Sequence, residues 1–192
     1  ESNSEPEEVQ TILSAVEHSC DYWRSEDENC IEVLAVEQPF AWVLFEDDDI
    51  RIIITGKIDL LCNYRPIGGR SNYINMPMDH KTFTRESPLL RKSNQFINYC
   101  NATGSNYLLV NRIGLQKTLK AEEKFKRLPQ PYDPLYIAEW KNNLSKMILQ
   151  EYLPAIAENY WPEKPTSCNK FNRLCEYYRI CDSSRDRVGK LE

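Results

Sequence analysis

Two acidic residues and one lysine carry the types and spacing in this chain that suit chemistry: Asp59 in Gly56-Lys57-Ile58-Asp59, and Asp79 and Lys81 in Asp79-His80-Lys81. Residues two apart on a strand share a face, so Asp79 and Lys81 project to the same side of any sheet that holds them. If the strand bearing Asp59 neighbours that one, the two carboxylates can share a divalent cation. Hard oxygen ligands suit Mg²⁺ or Mn²⁺, with the backbone carbonyl of His80 as a further donor. Such an ion polarises a phosphate ester and acidifies a water, while Lys81 orients that water or neutralises developing charge. The plainer alternative is that both aspartates end strands at the solvent edge, and a single D-x-K triplet is common by chance.

The elements that must position these residues are legible in the apolar spacing. Val9, Ile12, Leu13, Val16, Cys20 and Trp23 recur at helical intervals and predict a helix over 8–24 with one buried face. Two strand-like runs follow, 31–45 and 50–64, split by the acidic turn at 46–49, which reads as an antiparallel hairpin. A third strand, 73–81, ends on the D-x-K triplet and contains Pro77, which cannot donate to a sheet ladder. Ser87-Pro88 suits a helix start, serine as cap and proline in the first turn, for a helix reaching about Asn101. Residues 107–113 predict a fourth strand, a polar segment follows, and Asp133-Pro134 opens a second long helix. The order is α-β-β-β-α-β-α, followed by a proline- and cysteine-rich tail. The expected division is a core over 1–160 and a tail over 161–192.

On the first of those later helices, Gln95 and Tyr99 are four apart and share a face, and Arg91 extends the row. Arg, Gln and Tyr beside a metal site suit a nucleic-acid backbone or a stacked base; taken alone, the row is an ordinary polar face. Together, ITGKIDLL, MPMDHKT and QFINY resemble the PD-(D/E)XK nuclease superfamily, in the RecB-like branch that carries a Q-x-x-x-Y motif. The resemblance covers about residues 30–115 well and the rest more loosely. It implies an α/β, restriction-endonuclease-like αβββαβ core with a central mixed sheet flanked by helices. It also implies Asp59 and Asp79 as metal ligands, Lys81 as the catalytic lysine, and Gln95 and Tyr99 as active-site and DNA-contacting residues.

The chain has 192 residues, 41% of them hydrophobic, with a net charge of −5. That charge counts against a protein that coats nucleic acid through bulk electrostatics, but not against an enzyme with a local basic patch; 117–127 is such a patch. No run approaches the roughly 20 apolar residues of a membrane span, and the acidic start ESNSEPEEVQ is unlike a signal peptide. A cytoplasmic, intracellular protein with no membrane partner is the expectation.

Seven cysteines without an export signal argue against a disulfide framework. Three crowd the tail as Cys168-x6-Cys175-x5-Cys181. Thiolates suit iron–sulfur or zinc. Several RecB-like nucleases carry a C-terminal cysteine group that holds a 4Fe-4S cluster, although the x6 spacing here is longer than their usual x2. The resemblance therefore implies a cluster on Cys168, Cys175 and Cys181, with zinc, or three reduced thiols, as alternatives. The relatives also place a cysteine-bearing helix and a histidine upstream. Cys30 is one candidate for the fourth ligand, whereas Cys20 suits core packing. Glu17 and His18 are weak candidates for the upstream metal ligand. The expectation is that an N-terminal segment preceding Glu1 carries both.

The resemblance leans toward an exonuclease acting on single-stranded DNA or free ends in recombination or repair. The branch occurs in phage proteins and joined to helicases, which makes a recombination or helicase partner an expectation. The rivals are a catalytically inactive DNA- or protein-binding module with the same fold, and a metal-stapled structural protein.

Overall fold

The structure is a computed structural model that describes residues 7–65, 73–84, 92–116 and 118–159, and the backbone of 169–170 and 173–174. The chain is α/β. Its elements are α1 (Glu7–Cys30), β1 (Ile31–Glu46), β2 (Arg51–Tyr64), β3 (Ile74–Phe83), α2 (Asn94–Thr103), β4 (Tyr107–Gly114), α3 (Ala121–Lys124), β5 (Phe125–Pro131), α4 (Pro134–Met147), a π-helical turn (Ile148–Tyr152), α5 (Leu153–Ala157), and β6 (Asn169–Lys170) with β7 (Arg173–Leu174). Strands β1 to β5 form one mixed sheet in sequence order. Only β3 and β4 run parallel, joined by the α2 crossover. Two compact units divide at Asn143 and Leu144. In the second, the π-helical turn immediately precedes Pro154, whose ring cannot sit against a regular helical turn; β6 and β7 pair antiparallel.

Alternation along the strands sorts the first unit into two layers. Leu108 and Val110 of β4 pack with Phe96, Ile97, Tyr99 and Cys100 of α2, while Leu109 joins Cys62, Met76 and Met78 in a second cluster on the opposite face. Phe96 and Leu108 are wholly buried, and burying each such side chain contributes about 1.5–3 kcal/mol. On the second face α1 is tied to β5 through Arg127, whose side chain is 5% exposed. Its guanidinium reaches Glu26 at 3.0 Å, pairs with Asp27, and lies 4.3 Å over the Trp23 ring.

The hairpin β1–β2 does not stay on one face. Leu60 packs against the second cluster, yet Ile58, two residues earlier, belongs to the α2 cluster. The crossing point is marked on β1 by Glu37, which has a left-handed backbone (φ 53°) and lies between the paired positions Val36↔Leu60 and Gln38↔Ile58. Past it the hairpin curls over α2. Trp42 Nε1 donates to Asn98 at 2.8 Å, and Phe40 rests on Gly56, where a Cβ would come within 2.5 Å of the ring. Asp47 closes the hairpin by accepting from the amides of Asp49 and Ile50, an Asx turn.

The structure corrects several expectations. Helix α1 runs on to Cys30, and its proposed core face is exposed at Val9 (39%), Leu13 (50%) and Val16 (38%). Cys20 is exposed as well, since the buried face of α1 runs through Ser19 and Cys30, with Trp23, Glu26 and Asp27 meeting Arg127. Helix α2 begins at Asn94: Ser93 is extended (ψ 117°), so no continuous helix runs from Ser87-Pro88, which itself lies outside the described residues. The helix ends at Gly104, whose φ of 67° suits the residue lacking a Cβ. The segment expected to be merely polar contains β5, an edge strand that tolerates Pro129 and Pro131 for that reason. Pro77 sits where β3 pairs with β2 alone, since the ladder to β4 starts at Met78.

Candidate active site

The ladder between β2 and β3 closes with Leu60↔Met78. One more step of the same register would set Asp59 opposite Asp79, so the carboxylates stand at the fork where the strands part. Like charges opposite one another across a ladder are destabilising unless something compensates them. Lys81, one period further along β3, supplies part of that. Its ammonium stands 2.9 Å from Asp79 Oδ2 and donates to Oδ1 at 3.1 Å.

From Lys81 a chain of hydrogen bonds closes the site. The ammonium donates to Gln95 Oε1 at 3.1 Å, Gln95 Nε2 donates to the Tyr99 hydroxyl at 2.9 Å, and that hydroxyl donates to Asp59 Oδ1 at 3.4 Å. Gln95 and Tyr99 can act together because α2 sets them one turn apart on one face. All five residues are thus joined: Asp59 from β2, Asp79 and Lys81 from β3, Gln95 and Tyr99 from α2.

Asp79 is wholly buried. Burial pushes its carboxyl above the usual carboxylate range, Lys81 pulls it back down, and the neighbouring Asp59 pushes it up again. Burial also raises the Tyr99 phenol, against the Gln95 hydrogen bond and with the two aspartates, so its hydroxyl is a proton donor at neutral pH. Asp79 Oδ2 takes no hydrogen bond although it is buried. Its contact is the Lys81 ammonium at 2.9 Å, and a buried carboxylate beside a second carboxylate fits a hard divalent cation. Asp59 and Asp79 are the side chains that would hold it; among the described residues no three His, Cys, Asp or Glu side chains gather into a metal-holding set.

The His80 side chain turns to the other face, with Nδ1 3.0 Å from Asn111 Nδ2; the metal donor expected of this residue is its backbone carbonyl, which the side chain's direction does not affect. Glu17 and His18 are exposed on α1, and Cys30 is buried in the cluster around Cys62 and Met76. Arg91, Cys168, Cys175 and Cys181 lie outside the described residues.

Sequence reasoning missed the groups that hold α2 in place. Asn94 and Asn98, each one residue ahead of Gln95 and Tyr99, accept from Trp140 Nε1 (3.0 Å) and Trp42 Nε1 (2.8 Å). The two indoles lie 6.2 Å apart. The i, i+4 spacing of the asparagines was the available signal. The Phe40 ring also meets Tyr99 edge-on at 6.2 Å, which links Gly56 to the site.

No family model and no curated protein matches the chain. Among solved structures it is similar to one described as "Crystal structure of SSO0001", with 14% identity and a TM-score of 0.44, over 74% of this chain and 61% of that one. This chain therefore spans under two thirds of that protein's length.

Proposed function

We propose that this chain is a metal-dependent deoxyribonuclease of the PD-(D/E)XK type, in its RecB-like branch, hydrolysing phosphodiester bonds of single-stranded or free-ended DNA. The observation that carries the reading is the unbroken path Asp79–Lys81–Gln95–Tyr99–Asp59, drawn from three separate elements. A buried carboxylate crowded by another is poor material for stability, since apolar residues of similar size would serve better. Perturbed carboxyls with a charged partner are instead what catalytic sites contain.

In this reading Asp59 and Asp79 would hold Mg²⁺ or Mn²⁺, which supplies a Lewis acid for the phosphoryl oxygen and acidifies a water. Lys81 donates to the negative charge that grows on the phosphoryl group as water attacks. Gln95 fixes the Lys81 ammonium by accepting a hydrogen bond from it. Tyr99, as a donor, holds Asp59 in place.

The same proposal includes a 4Fe-4S cluster on Cys168, Cys175 and Cys181, tested by brown colour and visible absorbance after anaerobic purification; a colourless protein with stoichiometric zinc would refute it. The nuclease reading is tested with labelled single- and double-stranded DNA, in Mn²⁺ or EDTA, beside Lys81→Ala. Cutting that needs the metal and vanishes in the variant is expected. Binding without cutting would favour a non-catalytic module.

A further inference from the structure

The face of the sheet turned away from α2 carries a polar row inside an apolar layer. His80 of β3 pairs with Asn111 of β4, and Asn111 pairs with Arg127 of β5. One strand period away the positions are apolar: Met78 on β3, Leu109 and Ile113 on β4. Helix α1 lies over the row, with the Arg127 guanidinium 4.3 Å from the Trp23 ring. Between helix and sheet a cleft of about 470 Å³ is left, walled by Val33, Leu60, Met78 and Ile113, with His80, Asn111, Arg127 and Trp23 on its lining. That volume is within the roughly 300–1,000 Å³ of small-molecule sites.

Among the described residues, Trp23 Nε1, Arg127 Nε and Asn111 Oδ1 are buried on this cleft without a hydrogen-bond partner. Asn111 is 4% exposed and the Arg127 side chain 5%. Unpaired buried polar atoms oppose folding, and apolar residues of similar size would remove that cost. The first two atoms are donors and the third is an acceptor. His80 adds a donor: the Asn111 amide nitrogen, 3.0 Å from Nδ1, can only donate, so the neutral ring carries its proton on Nε2. The cleft has no spare positive charge, because Arg127 is matched by Glu26 and Asp27. An anion is therefore disfavoured and an uncharged ligand fits. We propose that this cleft binds an uncharged nitrogen heterocycle bearing carbonyl groups, as in a thymine or uracil base. The ring carbonyls accept from Trp23 Nε1 and Arg127 Nε, the ring N–H donates to Asn111 Oδ1, and the apolar walls take the ring. The site lies on the opposite side of β3 from Lys81, and it depends on neither the metal nor the nuclease reading.

Thymidine titrated into the isotope-labelled protein in EDTA tests it, read from the indole N–H resonances by NMR. The Trp23 resonance, assigned by its loss in Trp23→Phe, should shift saturably at millimolar thymidine. Those of Trp42 and Trp140, already bonded to Asn98 and Asn94, should stay in place. Thymidine methylated on its ring N–H should bind about three- to tenfold more weakly, the worth of one hydrogen bond. In Asn111→Leu the two nucleosides should bind alike. Oligothymidylate separates the sources of the base: if it also shifts Trp23, the cleft takes a base of a strand, and if only thymidine does, it takes a free nucleoside. An unmoved Trp23 resonance, equal shifts of all the indoles, or equal binding of thymidine and its methylated form to the wild type would overturn the site. That last comparison needs no variant, so it decides the matter even if Asn111→Leu fails to fold.

Discussion

Lys81→Met removes an ammonium that lies 2.9 and 3.1 Å from a carboxylate with no exposed surface. At an effective dielectric constant of about 20, charges ~3 Å apart attract by roughly 5–6 kcal/mol. The Lys81 side chain is 37% exposed, so solvent screening removes about half of that and leaves ~2–3 kcal/mol. The loss should depend on pH. The Asp79 carboxyl, near 3.8 when unfolded, is raised in the folded state, so Asp79 favours folding most when protonated, and stability falls as pH rises through the folded value. Without Lys81 that value climbs further, and ionised Asp79 opposes folding more strongly. The variant's deficit should therefore be largest toward the alkaline end of the range and shrink as pH falls and Asp79 takes up its proton in both proteins. Urea unfolding in EDTA, followed by tryptophan fluorescence between pH 4 and 8, measures this directly. A deficit that is constant with pH, or largest at pH 4, would refute the assignment of Asp79 and Lys81 as a coupled pair.

Gly56→Ala should push the Phe40 ring off its seat and disturb Tyr99, at a cost of about 1–3 kcal/mol and with slower cutting; adding Phe40→Leu should recover part of both. Tyr99→Phe takes the donor from Asp59 and the acceptor from Gln95, and should destabilise by about 1 kcal/mol. Its single-turnover rate on DNA should fall about five- to tenfold, a change of ~1–1.4 kcal/mol in the barrier. Arg127→Gln takes the cation from Glu26, which keeps the Tyr64 hydroxyl, and from half-exposed Asp27, and should lower the unfolding midpoint by the equivalent of about 1–3 kcal/mol, while divalent-cation affinity stays as in the wild type.

Four of the five candidate-site residues were legible because two exact periods carry them, whereas Asp59 depends on β2 and β3 being neighbours. A strand repeats every two residues, which fixes Asp79 with Lys81, and a helix brings Gln95 under Tyr99 at four. The element order was legible for the same reason through the fourth strand. Strand β5 was hidden by Pro129 and Pro131, which look like breakers until the strand is known to lie at an edge. The curl of the hairpin was hidden too, since it turns on a left-handed backbone at Glu37, and a glutamate gives no sign of that conformation. The Trp42–Asn98 and Trp140–Asn94 bonds span 56 and 46 residues, beyond what local spacing reports. The lower end of α1 looked like a core face, and its exposed Val9 and Leu13 follow from where Arg127 grips the helix, a tertiary fact.

Whether Asp59 and Asp79 together hold one divalent ion is measured most directly by Mn²⁺ titration under electron paramagnetic resonance, with the wild type beside Asp59→Asn and Asp79→Asn. One tightly bound ion per chain is expected in the wild type, with binding lost or sharply weakened in each variant while circular dichroism is unchanged. Undiminished Mn²⁺ binding in both variants, or none in the wild type, would contradict the shared site.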